Sequence, residues 1–104
     1  MHYIVLATHT AEICPTSNSK TRKLVQESAP DIPAIAEKTG VRILAGPYVN
    51  REHISVAIVD AKTVEDLDQF LMSTRLPQWN SVRVIPSVHI EQGIQELQDM
   101  PTVF

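Results

Sequence analysis

Residues 41–61 read VRILAGPYVNREHISVAIVDA. Two apolar, β-branched runs, 41–49 and 53–61, flank the polar triplet Asn50-Arg51-Glu52. Strand-like runs joined by so short a polar turn predict a β-hairpin. No helix fits between them, so the second and third strands are direct neighbours in sequence. That decides how the rest of the chain is grouped, because each side of the hairpin carries a helical stretch and then one more strand.

Upstream, residues 17–39 place Leu24, Val25 and Ser28 at helical spacing. Pro30 and Pro33 interrupt that pattern, and Ile32, Ile35 and Ala36 resume it. The pattern predicts a kinked helix or two abutting helices, capped by Thr16 or Ser17 and ended at Thr39-Gly40. Residues 3–8, YIVLAT, are apolar on both faces and predict a central strand. Downstream, residues 63–74, TVEDLDQFLMST, set Val64, Leu67, Phe70 and Leu71 on one helical stripe. Glu65 and Asp66 sit where the helix dipole favours negative charge, and Pro77 closes the segment. Residues 81–90, SVRVIPSVHI, alternate as a fourth strand. A short helix over 91–99, with Ile94 and Leu97 inward, is stopped by Pro101.

The order β-α-β-β-α-β predicts an α+β, ferredoxin-like fold with a short C-terminal helix. Right-handed crossovers give an antiparallel four-stranded sheet in the order 4-1-3-2, with both helices on one face. The first strand is apolar on both sides, with Tyr3, Val5 and Ala7 against Ile4 and Leu6. A bare apolar sheet face is unusual on a soluble monomer, so a homodimer through that face is expected. In the third strand the more apolar set, Ile54, Val56 and Ile58, is expected against the helices. His53, Ser55 and Ala57 are expected on the open face.

The 104 residues make one domain, 1–104. A hydrophobic fraction of 43% supports a packed core, and 20% charged residues argue against disorder. No apolar run approaches the roughly 20 residues that span a bilayer, which excludes a membrane helix. The net charge is −3 and the basic residues are scattered, which argues against nucleic acid. Aromatic residues are 5%, which disfavours a haem pocket. The single cysteine cannot close an internal disulfide, and the opening MHYIVLATHT lacks the pattern of a secretory leader. A cytoplasmic location is expected.

The layout GVRILAGPYV, then a strand, the TVEDLDQFL helix and VRVIPSV resembles the dimeric α+β barrel proteins, and among them the YciI-like group. The resemblance implies a dimer of ferredoxin-like units. Members of the wider group include heme-degrading and quinol-forming monooxygenases, lactone isomerases and small-molecule sensors, so it implies no single activity. YciI-like proteins tend to carry a histidine in the first helix and an acidic residue at the second strand. Residues 17–39 hold no histidine and Asn50 stands at the second position, so that pair is not transferred.

Candidate site residues fall into two groups. The segment THTAEICPTSN, residues 8–18, holds His9 and Cys14 just ahead of a helix. A helix N-terminus lowers a thiol's pKa, and Lys20, Arg22 and Lys23 nearby would suit an anion. With Trp79 and Arg83, His9 and Cys14 are the expected lining of a cleft between helices and sheet that takes a small anionic molecule. His-x4-Cys alone offers too few ligands for structural zinc, and His53 is expected far away. The second group is His53, His89 and Glu91, expected together at the other end of the sheet as ligands for a divalent transition metal. Three functions follow: small-molecule binding, with or without catalysis; a non-enzymatic metal protein using His and Cys; or a structural dimer. No catalytic residue is assigned.

Overall fold

The computed structural model describes all 104 residues. Its elements are β1 (His2–Thr8), α1 (Ser19–Ser28), α2 (Ile32–Thr39), β2 (Arg42–Tyr48), β3 (Ile54–Asp60), α3 (Val64–Thr74), β4 (Ser81–Ser87) and α4 (Ile90–Leu97). A single 3-10 turn, Ala29–Asp31, joins α1 to α2, so the proline-interrupted stretch resolves into two abutting helices. Gly40 ends α2 at φ 77°, and its N–H reaches the carbonyls of Ala36 and Glu37. A left-handed residue there is what glycine tolerates without penalty. The cap of α1 differs from expectation. Asn18 holds it, its Oδ1 accepting from the N–H groups of Lys20 and Thr21. Thr16 is left free for another partner.

The four strands form one antiparallel sheet in the order β2-β3-β1-β4, which counted from the β4 edge is 4-1-3-2. β1 is central and antiparallel to both neighbours, with Thr8 opposite Ile54 and Ser81, and His2 opposite Asp60 and Ser87. Tyr3, Val5 and Ala7 are buried on one face and join Val59, Leu67, Phe70 and Leu71 in the core. β2 meets β3 through two register shifts, and Gly46 lies within the second, between Ala45 and Tyr48. A Cβ on Gly46 would lie 2.6 Å from the Val56 carbonyl oxygen, so no other residue fits there.

Cross-strand partners share a face. Val5 faces Ala57 and Tyr3 faces Val59, so Ser55, Ala57 and Val59 turn toward the helices. Ile54, Val56 and Ile58 therefore lie on the open face, with Ile4, Leu6 and Ile85. The expected faces of the third strand are reversed. Choosing the more apolar set for the core fails because both sets of β3 are apolar, and the register with β1 decides. The outcome makes the open face greasier than expected.

The tail helix also departs from expectation. Ile90, Ile94 and Leu97 are each more than half exposed, so its apolar stripe meets nothing in this chain. It leaves the sheet edge at the end of β4 and stretches the molecule to 53 × 31 × 19 Å. The radius of gyration, 16.2 Å, exceeds the roughly 13 Å of a compact chain this size. No helix is long and apolar enough to cross a membrane.

Leu67 is fully buried under the sheet at the centre of this core. Leu67→Ala is expected to lower unfolding free energy by about 2–5 kcal/mol, through lost burial and the cavity left behind. Urea denaturation checks it, and a loss under about 1 kcal/mol would mean that the surrounding helices close the gap.

Candidate metal centre

The segment between β1 and α1 is folded by its own backbone. The N–H groups of Ile13 and Cys14 donate to the Thr10 carbonyl, and those of Ser17 and Asn18 donate to the Cys14 carbonyl. Ser17 Oγ closes back on the Ala11 carbonyl. Arg22 reaches down from α1, its Nε and Nη2 donating to the carbonyls of Pro15 and Thr16, both at 2.8 Å. A cation in the first turn of a helix is unfavourable for the dipole. Here it serves loop carbonyls, and no anion is needed to explain it. The result is a rigid arc that points Cys14 inward, where it is buried.

His53 arrives from the opposite direction. Asn50 organises the β2–β3 turn, its Oδ1 accepting from the N–H groups of Glu52 and Ile54 while its Nδ2 donates to the Ile54 carbonyl. His53 sits inside this turn at φ 61°, a left-handed conformation uncommon for a residue with a Cβ. The His9 N–H donates to the His53 carbonyl at 3.2 Å, carrying the β1–β3 pairing one step beyond the strands. The two imidazoles consequently meet edge to face, centroids 5.3 Å apart.

The ligand atoms of His9, Cys14 and His53 all lie within 4.8 Å of one another. A tetrahedral ion with bonds of about 2.0–2.3 Å holds its ligands roughly 3.3–3.8 Å apart, so a closure of about 1 Å brings all three into range. Asn80 fixes the state of His9. Its Nδ2 donates to the Leu76 carbonyl, which turns Oδ1 toward His9 Nδ1 at 2.9 Å. Nδ1 therefore carries the proton, and Nε2 presents its lone pair. His9 Nε2 and His53 Nδ1 are both buried without a hydrogen-bond partner. A buried polar atom left unpaired costs about 1–3 kcal/mol. Trp79 stacks obliquely on His9, centroids 5.0 Å apart, and walls the site.

The thiol is tuned in the same direction. The Thr16 hydroxyl lies 3.0 Å from Cys14 Sγ. That hydroxyl and the Thr16 backbone favour the thiolate most, burial opposes it, and Cys14 is brought down to about 6. The group opens on a cleft of about 410 Å³ whose walls include Val25, Ile32, Pro47 and Leu76.

His9, Cys14 and Trp79 stand together, as their positions in the sequence suggest. The expected trio of His53, His89 and Glu91 does not form. β3 and β4 both run antiparallel to β1, so they run parallel to one another, and the start of β3 and the end of β4 lie at opposite ends of the sheet. Seven-residue strands then separate His53 from His89 by roughly 20 Å. His89 instead caps α4, its Nδ1 accepting from the Glu91 N–H, and the Glu91 side chain is exposed. The placement of His53 far from His9 is reversed by the same strand directions. Arg83 lies opposite Leu6, on the open face of the sheet and away from the cleft. The sequence does not single out Asn80 and marks Thr16 only as a helix cap, since only the fold shows which side chains they orient.

Alkylation of the native, metal-free protein by iodoacetamide is expected to follow a midpoint near pH 6, where an ordinary thiol gives about 8.5. Thr16→Val is expected to move that midpoint upward, because the thiolate loses its main donor. An ordinary midpoint in the unaltered protein would show that the hydroxyl does not hold the anion. In comparisons with known proteins no family model matches the chain and no curated protein matches it, so the geometry is the ground for a functional reading.

Proposed function

We propose that the protein binds one transition-metal ion through His9 Nε2, Cys14 Sγ and His53, with a fourth position open to the cleft for a small molecule. The observation that carries this is the convergence of one ligand atom from each of three residues within 4.8 Å, in a group where His9 Nε2 and His53 Nδ1 are buried without a hydrogen-bond partner. Two imidazoles and one thiolate suit zinc or copper, and they lack the oxygens that magnesium and calcium require. Three protein ligands with an open position are the pattern of metals that act on a bound molecule, whereas structural zinc is closed by four. Asn80 supplies the outer hydrogen bond that orients a ligating histidine. A free thiol among the ligands suits a reducing, cytoplasmic compartment.

Cobalt(II), a coloured substitute for zinc, tests the site. One equivalent is expected to bind with a thiolate-to-cobalt absorption in the near ultraviolet. Cys14→Ser should abolish that absorption, and His53→Ala should abolish tight binding. Asn80→Ala should weaken binding by about 10- to 100-fold while leaving the ligands in place. Sub-stoichiometric cobalt, or binding indifferent to Cys14→Ser, would defeat the reading.

The same proposal takes the chain as a ferredoxin-like unit of a dimeric α+β barrel, similar in layout to the YciI-like proteins. Its support is the open sheet face carrying Ile4, Leu6, Val56, Ile58 and Ile85 with no element to cover it. Burying apolar surface contributes about 25 cal/mol per Å², which is ample reason for a second copy to pack there. Light scattering is expected to give twice the 11.6 kDa chain mass, and Ile58→Lys is expected to return it to the single-chain value. A monomer at micromolar concentration would remove this part and leave the metal proposal untouched.

A further inference from the structure

Behind the His9/Cys14/His53 group lies a second space. α1 does not press its apolar stripe onto the sheet, and Leu24 and Val25 stay half-buried. The facing side chains are small: Ala7, Ser55 and Ala57 from the sheet, Ser28 and Ala29 from the helical side. Small residues opposite small residues leave volume unfilled, a chamber of about 120 Å³. Phe70 and Leu71 floor it, and Val25, Ser55, Leu76 and Trp79 line both chamber and cleft. The chamber is thus continuous with the space before the three ligands.

Its chemistry is one-sided. No Lys, Arg, Asp or Glu lines the chamber or the cleft. The chamber's hydroxyls are largely spent on backbone: Ser28 Oγ donates to the Leu24 carbonyl, and Thr74 Oγ1 donates to the Leu71 carbonyl. Arg83, the cation expected to hold an anion, is on the other face of the sheet. A charge inside the chamber, or in the metal-free cleft, would lose its water and meet no side chain of opposite charge, at a cost of several kcal/mol. An apolar one gains by leaving water. The cleft, at about 410 Å³, lies within the 300–1,000 Å³ usual for small-molecule sites, and the chamber is a small apolar recess beside it.

Resting on the metal reading, we infer that the molecule taken by this protein is compact, uncharged and mostly apolar. Its body fills the chamber under α1, and a single polar end passes Ser55 and Trp79 to reach the open position of the metal. The anionic ligand expected from the basic residues of α1 is replaced by a neutral one.

A matched pair of probes, 2-phenylethanol and phenylacetate, tests this. They share the phenyl body and differ in the charge at its end. Trp79 is the only tryptophan and lines both spaces, so its fluorescence reports occupancy. In metal-free protein, 2-phenylethanol is expected to change the emission saturably, and phenylacetate to bind at least tenfold more weakly. Ala29 is exposed at the rim, so Ala29→Phe should fold and fill the chamber. That variant is expected to lose the alcohol response at least tenfold and to keep cobalt binding. In cobalt-loaded protein the alcohol should shift the visible spectrum over the concentration range that changes Trp79. Equal or tighter binding of phenylacetate to the metal-free protein, or no saturable response to either probe, overturns the inference. A Trp79 response without a cobalt shift overturns the link to the open position. Absence of cobalt binding defeats the metal reading alone, because the metal-free titration reports the chamber separately.

Discussion

The hydrogen bond from the His9 N–H to the His53 carbonyl is the contact on which the site depends. It extends the β1–β3 register by one residue past Thr8 and Ile54, where both chains leave the sheet. Antiparallel pairing puts the end of β1 beside the start of β3, so two residues 44 positions apart in numbering become neighbours. Neither histidine is inside a strand, yet both inherit the strands' rigidity. The core residues Tyr3, Val5 and Val59 set that register, because a slip of one residue would turn them to the open face. Burial at the centre of the sheet thereby fixes the geometry of ligands at its end.

Three further constraints complete the group, and each is local. Arg22 and the backbone turns shape the arc that carries Cys14. Asn50 holds the turn in which His53 takes a left-handed backbone. Asn80 settles which nitrogen of His9 bears the proton. Each of these residues spends its hydrogen-bonding capacity on positioning, while His9 Nε2 and His53 Nδ1 are left with none. Buried polar groups without partners are rare in folded proteins, and those that persist mark strain, function or an occupant. The concentration of satisfied groups around unsatisfied ones is the feature on which the metal proposal rests.

The sequence carried the element order because hydrophobic period and proline position report local structure directly. The hairpin at Asn50-Arg51-Glu52, the break at Pro30 and the two-faced YIVLAT strand needed no tertiary information. It carried the proximity of His9, Cys14 and Trp79 for a related reason, since all three flank ends of neighbouring strands. It misplaced His53 because that residue's location depends on strand direction in the sheet. Reading the start of β3 and the end of β4 at the same end of the sheet requires them to be antiparallel to one another, and two strands flanking a common antiparallel neighbour are parallel. The faces of β3 were illegible for another reason. Ile54, Val56 and Ile58 alternate with Ser55, Ala57 and Val59, and composition alone favours the wrong set. Asn80 gave no signal and Thr16 gave the signal of a helix cap, because a side chain that orients another is visible only once the two are adjacent.

The small residues that misled the reading of β3 also explain why a chamber exists. Had Ile54, Val56 and Ile58 faced the helices, their volume would have filled the space beneath α1 and closed the core. With Ser55 and Ala57 there instead, α1 rests on a gap and its Val25 stays half-buried. A cavity forfeits dispersion contacts and is costly in a domain of this size. The bulky side chains have been moved to the open face, where a single chain gains less from them. Both halves of that exchange weaken the isolated monomer. They are consistent with one another if the open face is covered by a second copy and the gap is occupied by a ligand. The assembly and the site then follow from one choice of register in β3.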